Sequence, residues 1–149
     1  MKIEIREFCG KDIDILLDLM KDYYEFDRLD FNREKSKATL HDFMNSNSGL
    51  LFVIESSDKA IGYFCLAFGY SLELHGKDCF LDEIYISDDF RRKGVGLEVM
   101  KFIEEYLKKI DIKAVHLIVF ENNTYAQKFY LKNGFRTRDA IFMTKSLIE

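Results

Sequence analysis

The chain of 149 residues has no proline and only three cysteines. Cys9, Cys65 and Cys79 are odd in number and lie in or beside apolar segments, which indicates buried reduced thiols and argues against a disulfide framework. The three histidines are far apart in sequence, and no group of Cys and His has the spacing of a zinc site. We therefore expect no metal centre.

Long hydrophobic runs are also missing. No apolar run approaches the roughly 18 to 20 residues that span a bilayer, and the sequence from Met1 to Arg6 alternates like a strand, without a signal-peptide core. These features predict a cytoplasmic protein that has no membrane partner. The net charge of −4 argues against nucleic acid as a partner, because phosphate binding needs a basic surface. An acidic protein suits cationic small molecules better.

Composition and periodicity predict one α/β domain over residues 1–149. The sequence is 48% hydrophobic and 32% charged, which is typical of a globular protein of this length, and it contains no repeat or linker. We predict strands over 2–8, 50–55, 60–68, 80–86, 114–120 and 141–147, and helices beginning at Asp12, over 33–45, from the glycine turn to 110 and over 123–133. Residues 56–59 have the composition of a hairpin turn.

A glycine turn between a predicted strand and an amphipathic helix is the first candidate binding element. Its sequence, Arg91-Arg92-Lys93-Gly94-Val95-Gly96, matches neither G-x-x-x-x-G-K-[ST] nor G-x-G-x-x-G, which argues against ATP or NAD. The first amides of a helix lack partners within the helix and attract anions. A phosphate-binding turn and an ordinary glycine turn are both consistent with this hexapeptide alone.

A second motif follows in the segment from Asn123 to Phe135. It reads as a short helix with one apolar face, stopped by Gly134. Together, R-x-x-G-x-G and N-x-x-A-x-x-x-Y-x-x-x-G-F, in this order and spacing, resemble the core of the GNAT superfamily of N-acetyltransferases. The resemblance is specific from about residue 80 to 135, with local similarity to spermidine/spermine acetyltransferases. The chain departs from the family at Asp88, where proline is frequent, and at Arg92, where glycine is frequent.

The resemblance implies the GNAT fold: a single domain with a mixed, largely antiparallel central sheet, flanked by helices and splayed at the cofactor-binding strands. It also implies acetyl-CoA as the cofactor. The glycine turn would supply amides to the pyrophosphate, and the strand before it would expose backbone groups to the pantetheine arm. The residues expected to contact the cofactor are Ile84, Tyr85, Ile86, Arg91, Arg92, Lys93, Gly94, Val95, Gly96, Asn123 and Tyr130.

Three residues are candidates for the chemistry. Tyr130 matches the position at which the family commonly has a tyrosine acid, and a phenol can protonate a departing thiolate; an aromatic side chain on a buried helix face is the alternative. Asp82 and Glu83 interrupt an apolar strand, where carboxylates are depleted, so we expect them to face a polar cavity. The similarity to spermidine/spermine acetyltransferases, in which an acid at the position of Asp82 acts near the acceptor, implies that one of the two takes the proton of the amine. A surface ion pair is the alternative for these two acids.

The resemblance implies that the segment 22–31 covers the acceptor site, and in this chain the segment mixes acids with aromatic residues. Tyr24, Glu25 and Asp27 are candidates for binding a cationic acceptor, with Glu73 from a later turn. A solvated acidic helix face with core aromatics explains the same residues equally well. We therefore expect an N-acetyltransferase acting on a small primary amine, a polyamine or an amino-sugar. The alternatives are a protein N-terminal or lysine acetyltransferase and a non-catalytic acyl-CoA-binding sensor. Since many members of the resembled family dimerise, a homodimer is also an open expectation.

Overall fold

The structure, a computed structural model, describes residues 1–148 in two compact units, Met1–Leu117 and the part from Ile118 onward. The strands and helices of the first unit are β1 Ile3–Glu7, α1 Ile13–Phe26, α2 Arg33–Met44, β2 Gly49–Ser56, β3 Lys59–Ser71, β4 Gly76–Ile86, α3 Val95–Lys109 and β5 Val115–His116. The second unit has one helix, α4 Thr124–Lys132, among its described residues. No helix within residues 1–148 is long and apolar enough to cross a membrane.

The five strands form one sheet in the order β1-β2-β3-β4-β5. The first four pair antiparallel and β5 pairs parallel with β4, which confirms the predicted mixed, largely antiparallel sheet. Val115 and His116 of β5 lie opposite Cys79 and Phe80 of β4. Since β4 continues to Ile86, its outer edge is not paired with β5 beyond Phe80, as the predicted splaying requires.

Helices cover both faces of the sheet. On one face, buried Leu16 and Leu17 of α1 pack in a cluster with Leu51 of β2 and Tyr63 of β3. On the other face, the ring of Phe52 stacks on Phe64 and meets the rings of α3 residues Phe102 and Tyr106 at its edge. Successive strand residues point to opposite faces, so Leu51 and Phe52 belong to the two different layers.

The predicted hairpin turn between β2 and β3 is confirmed. Ser56 lies opposite Lys59, and the two residues between them, Ser57 and Asp58, both have positive φ, 51° and 59°. Positive φ at both central positions is the geometry that matches the right-handed twist of paired strands. Aspartate tolerates this conformation better than most residues other than glycine.

The second unit confirms one sequence prediction and contradicts another. The Asn123 side chain accepts a hydrogen bond from the Ala126 amide and caps α4, and Gly134 ends the helix with φ of 87°. The strand predicted over 141–147 is wrong: these residues have no regular secondary structure, and Leu147 is 90% exposed. A strand requires a partner for its backbone, which apolar composition alone does not supply. The strand predicted over 114–120 is likewise reduced to Val115–His116.

Candidate active site

The glycine turn ends in a helix N-terminus that is open to anions. Gly94 is the N-cap of α3 and has φ of +86°, and the Glu98 amide donates to the Gly94 carbonyl at 3.2 Å. The amides of the three residues between them therefore precede the first intrahelical hydrogen bond. A Cβ built on Gly94 would have no heavy atom within 4 Å, so this position needs glycine for its backbone conformation and not for space.

Arg91 is engaged within the protein. Its Nε donates to the Ile86 carbonyl at 2.7 Å, and its guanidinium forms an ion pair with Asp88. The guanidinium carbon lies 4.5 Å from the ring centroid of Phe26 and 5.2 Å from that of Tyr85. This one side chain therefore connects the end of β4, the end of α1 and the start of the glycine turn, a role that the sequence motif did not reveal.

A β-bulge lies in β4 at the acidic pair. Cys65 is opposite Glu83, whereas the next residue of β3, Leu66, is opposite Leu81. Asp82 is thus the extra residue, and it is exposed. A bulge of this kind bends the strand and leaves the extra residue outside the regular ladder. The resemblance implies exposed backbone groups at Ile84, Tyr85 and Ile86, and the bulge lies just before this segment.

Glu83 is the centre of a hydrogen-bonded cluster on the α1 side of the sheet. The Tyr24 hydroxyl donates to its Oε1 at 2.6 Å, and the Tyr63 hydroxyl donates to its Oε2 at 2.8 Å. Burial raises the pKa of Glu83 above its usual value, the two phenol hydrogen bonds oppose this rise, and the charges of Asp82 and Asp27 add to it. The result is a carboxylate that is fixed in place and more basic than a solvated one.

The neighbouring thiol is not suited to act as a nucleophile. Cys65 lies opposite Glu83 in the sheet. Burial, together with the charges of Asp82 and Glu83, raises the pKa of Cys65 to about 12. Since the thiolate is the reactive form, this cysteine stays protonated and unreactive at neutral pH.

An acidic cleft of about 450 Å³ opens between the end of α1 and the segment that follows β4. Its lining residues are Asp22, Glu25, Phe26, Tyr85, Ser87, Asp88, Asp89 and Arg91. The structure therefore brings predicted acceptor residue Glu25 together with predicted cofactor residues Tyr85 and Arg91. Glu73 is not part of this group: it is exposed in the turn before β4, and the eight residues from Gly76 to Glu83 span roughly 20 Å.

Two predicted site residues lie in the second unit. Asn123, predicted to contact the cofactor, caps α4 through its side chain. Tyr130 packs edge-on against Phe129 and Phe135, with ring centroids 5.4 Å apart in each pair. Burial raises the pKa of its phenol. Its hydroxyl makes no hydrogen bond to any residue within 1–148, so its proton is not committed to another acceptor in this part of the chain.

Sequence reasoning missed Tyr63 as a residue of the site. It is an aromatic residue in an apolar strand and is only 1% exposed, features that any core tyrosine shares. Only the strand register distinguishes Tyr63 from an ordinary core tyrosine. Tyr63 lies opposite Tyr85, and Cys65, on the same face of β3, lies opposite Glu83. That register depends on the bulge and could not be read from the sequence.

Comparisons with known proteins agree with the motifs. The family model described as "Acetyltransferase (GNAT) family" matches residues 14–135. An uncharacterised N-acetyltransferase of Methanocaldococcus jannaschii is 26% identical over 140 residues, which cover 92% of this chain and 62% of the relative. Spermidine N(1)-acetyltransferase of Thermoplasma acidophilum is 22% identical over 147 residues, which cover 93% of this chain and 91% of the relative. The chain thus spans less than two thirds of the first of these relatives.

One solved structure with the same fold contains a ligand that resembles both substrates of an acetyl transfer. It is AAC(6')-Iy in complex with the bisubstrate analogue CoA-S-monomethyl-acetylneamine. The TM-score is 0.84 at 15% sequence identity, and the match covers 99% of this chain and 100% of the other. At this level of identity the likeness concerns the fold.

Proposed function

The chain belongs to the acetyltransferase (GNAT) family, and from this premise we propose that it transfers an acetyl group from acetyl-CoA directly to a primary amine. The observation that carries the proposal is the carboxylate of Glu83, which is held by two phenols and has a raised pKa. A primary amine of pKa about 10.4 arrives protonated at neutral pH and must lose a proton before it can attack. A desolvated carboxylate suits that step.

The glycine turn fits the acetyl donor. The amides of Val95 and Gly96 precede the first intrahelical bond of α3, and positive φ at Gly94 turns the chain into the helix. These features suit a diphosphate group. The β4 edge from Leu81 to Ile86, which is not paired with β5, offers backbone groups to an extended ligand. When bound, acetyl-CoA supplies the acetyl group as a thioester.

The chain's own groups provide the remaining steps. Glu83 accepts a proton from the ammonium group, and the neutral nitrogen then forms a bond to the acetyl carbon. A backbone amide of β4 donates to the carbonyl oxygen, where negative charge develops. As the carbon–sulfur bond breaks, Tyr130 donates its phenolic proton to the sulfur. The nitrogen loses a second proton as the amide forms. This proton passes through solvent to the Tyr130 phenolate, and Glu83 releases its own proton to solvent. The products are an N-acetylated amine and the free thiol.

A polyamine or an amino-sugar is the acceptor class that we favour. Glu25 and Asp22 line the cleft beside Tyr85, so cationic groups and alkyl segments both have complementary surfaces there. The Thermoplasma acidophilum relative is named for spermidine, and the ligand of the AAC(6')-Iy structure is an acetylneamine derivative. Both names indicate small cationic amines, in agreement with the acidic character of this chain.

We also propose that residues 1–149 form one domain. The family match runs from residue 14 to residue 135 and so includes parts of both compact units, and the AAC(6')-Iy structure matches 99% of the chain. One cooperative transition, with coincident calorimetric and circular dichroism melting curves, is the expected observation. Two separated transitions would contradict a single domain.

Release of free thiol from acetyl-CoA in the presence of an amine panel tests the function. The panel contains diamines, triamines, amino-sugars, a lysine peptide and a peptide with a free N-terminus. We expect turnover with small cationic amines and a large loss in Glu83→Gln. Glu105→Gln, on the exposed face of α3, is the matched control and should retain activity. Tight binding of acetyl-CoA without turnover on any amine would instead identify an acyl-CoA sensor.

A further inference from the structure

We propose that Tyr24 and Tyr63 are positioning residues that hold the carboxylate of Glu83 in the orientation in which it receives the proton of the acceptor amine. The inference rests on the proposed function and assigns roles to two side chains within it. Tyr24 comes from α1 and Tyr63 from β3, so the carboxylate of β4 is fixed from two other elements.

Each oxygen of the carboxylate has one phenol donor. Tyr24 donates to Oε1 at 2.6 Å and Tyr63 to Oε2 at 2.8 Å. Two donors on different oxygens fix both the plane of the carboxylate and its side-chain rotamer. An ionised carboxylate has about four lone-pair sites, so acceptor capacity remains for an incoming N–H group. The two phenols therefore orient the Glu83 carboxylate and leave some of its lone pairs available for the acceptor amine.

The bulge at Asp82 is what brings Glu83 to these phenols. If β4 continued without a bulge from the pair Leu66 and Leu81, Glu83 would lie opposite Phe64. Phe64 is fully buried in the layer beneath α3, where a carboxylate would have no phenol partner. With the bulge, Glu83 lies opposite Cys65, on the face that carries Tyr63.

The phenols are themselves held by other rings. Tyr63 is 1% exposed and packs against Tyr23 and Tyr85, with centroids 6.4 and 6.5 Å away. Tyr24 meets Tyr23 edge-on at 5.5 Å and Phe31, from the segment before α2, at 5.8 Å. Such packing limits rotamer changes, so both hydroxyls are aimed before any substrate binds.

Neutral donors preserve the basicity of Glu83, as another carboxylate of the molecule illustrates. Asp12 is held by two nitrogens of Arg6, each at 2.8 Å, and this cation is the main cause of its lowered pKa. Glu83 accepts its two hydrogen bonds from uncharged phenols, and its pKa is raised. A cationic partner would fix the carboxylate equally well and would make it a weaker base.

The phenols also remain donors under working conditions. Burial is the main cause of a raised pKa in both Tyr24 and Tyr63. Several other titratable groups influence the cluster: Tyr23 and Asp27 from α1 and its end, Cys65 of β3, and Asp82 of β4. Of these, Asp27 and Asp82 raise the pKa of Glu83, so the acids and the phenols act on it in opposite directions.

The test compares the pH dependence of kcat/KM in Tyr24→Phe, Tyr63→Phe and Asp82→Asn with that of the wild type, using one amine throughout so that the titration of the amine cancels. Loss of either phenol removes a hydrogen bond that stabilises the carboxylate. We therefore expect the acid limb to shift to higher pH and kcat/KM to fall roughly tenfold at neutral pH. Loss of the Asp82 charge should shift the acid limb to lower pH.

Tyr106→Phe is the matched control. The Tyr106 hydroxyl donates to Glu7 Oε1 at 3.0 Å, so this variant also removes a phenol–glutamate hydrogen bond, from the other face of the sheet. It should leave the acid limb unchanged. If Tyr24→Phe and Tyr63→Phe behave like Tyr106→Phe while Glu83→Gln is inactive, the positioning role is wrong and the proposed function stands. An inactive wild type overturns the proposed function and the positioning role together.

A measurement without turnover checks the same inference. The carbon-13 resonance of the Glu83 carboxyl is followed against pH in each folded variant. The midpoint should move up in Tyr24→Phe and Tyr63→Phe, down in Asp82→Asn, and remain unchanged in Tyr106→Phe. Tyr24 is less buried than Tyr63, so Tyr24→Phe provides the comparison if removal of the core hydroxyl at Tyr63 disturbs folding. Identical midpoints in all variants would contradict the positioning role.

Discussion

At neutral pH, Tyr130 carries its phenolic proton, because burial raises its pKa above the usual value of about 10. A group of this kind can act as an acid and not as a base. Its ring lies between two others, those of Phe129 and Phe135, so removal of the hydroxyl alone should leave the packing of the helix intact. Replacement of Tyr130 by phenylalanine therefore tests the role of the hydroxyl without disturbing the packing of the ring.

Tyr130→Phe should lower turnover by roughly 10²-fold and leave the affinity for acetyl-CoA nearly unchanged, because general acid catalysis contributes at least this much. Steady-state kinetics and calorimetry measure the two quantities. Tyr70→Phe, at an exposed position of β3, is the control. Turnover near that of the wild type, under conditions in which chemistry is rate-limiting, would show that Tyr130 is only a packing residue.

Asp12 is the residue on which pH-dependent stability should depend most clearly. Its carboxylate is buried and bound by Arg6, which also pairs with Glu55. The folded-state pKa of Asp12 is lowered. Its contribution to the free energy of unfolding is therefore complete above the unfolded-state pKa of about 3.9, and it is lost as the pH falls towards the folded-state value.

Asp12→Asn should lower the free energy of unfolding by roughly 2 kcal/mol at pH 7, since it removes one of the two carboxylates that bind the guanidinium of Arg6. The difference should shrink below about pH 4. Urea denaturation at a series of pH values measures it. Asp18→Asn removes an exposed partner of Arg33 and should have little effect. A difference that does not change with pH would contradict the assigned role of the ion pair.

At the scale of elements, the bulge in β4 allows the role of the Asp82 backbone to be tested separately from that of the Asp82 carboxylate. Deletion of Asp82 would make the ladder regular, because Cys65 and Glu83, and Leu66 and Leu81, would become consecutive pairs. The stability should then change little. The bend and the amide of the extra residue would both be lost.

We expect deletion of Asp82 to reduce turnover by about 10²-fold or more, the effect of losing one donor to the developing oxyanion. Asp82→Ala keeps the bulge and removes only the carboxylate, so its loss should be smaller. Turnover of both variants and their urea midpoints are measured together. Equal losses in two stable variants would assign the effect to the carboxylate and contradict a role of the bulge.

The sequence predicted the periodic elements well and the irregular ones poorly. Apolar periodicity placed α1 and α3 within a few residues of their observed bounds, because each helix buries one continuous stripe. The location of the bulge and the contact between Tyr24 and Glu83, which are 59 residues apart, depend on tertiary register. The strand predicted over 141–147 failed for a related reason: a strand is defined by its partner, and the partner is not encoded in the segment itself.

At the scale of the whole molecule, the net charge of −4 and the acidic cleft should influence how the acceptor binds. The negative charge of the surface attracts cations over distances limited by the Debye length, about 10 Å at 0.1 M salt. The Michaelis constant for a triamine should therefore rise with salt more than that for a monoamine. A best substrate that is neutral or anionic would contradict the polyamine proposal and leave acetyl transfer intact.

The double variant Asp22→Asn, Glu25→Gln, which neutralises two acids of the cleft, should raise the Michaelis constant for a triamine by roughly tenfold at low salt, which corresponds to about 1.4 kcal/mol. Glu34→Gln, Asp42→Asn changes the net charge equally on α2, whose residues do not line the cleft, and is the control. Initial rates at several salt concentrations measure the effect. Equal changes in both double variants would indicate a general charge effect without a local acceptor site.

The sequential order of the strands has a consequence for how the chain folds. β2, β3 and β4 are neighbours both in sequence and in the sheet, joined by short turns, whereas β5 reaches β4 only after the intervening α3. Local pairings close at lower entropic cost and form faster than distant ones. The three-stranded meander should therefore form early. It already contains Tyr63 and Glu83, so one of the two phenol hydrogen bonds to Glu83 can form before α3 has docked.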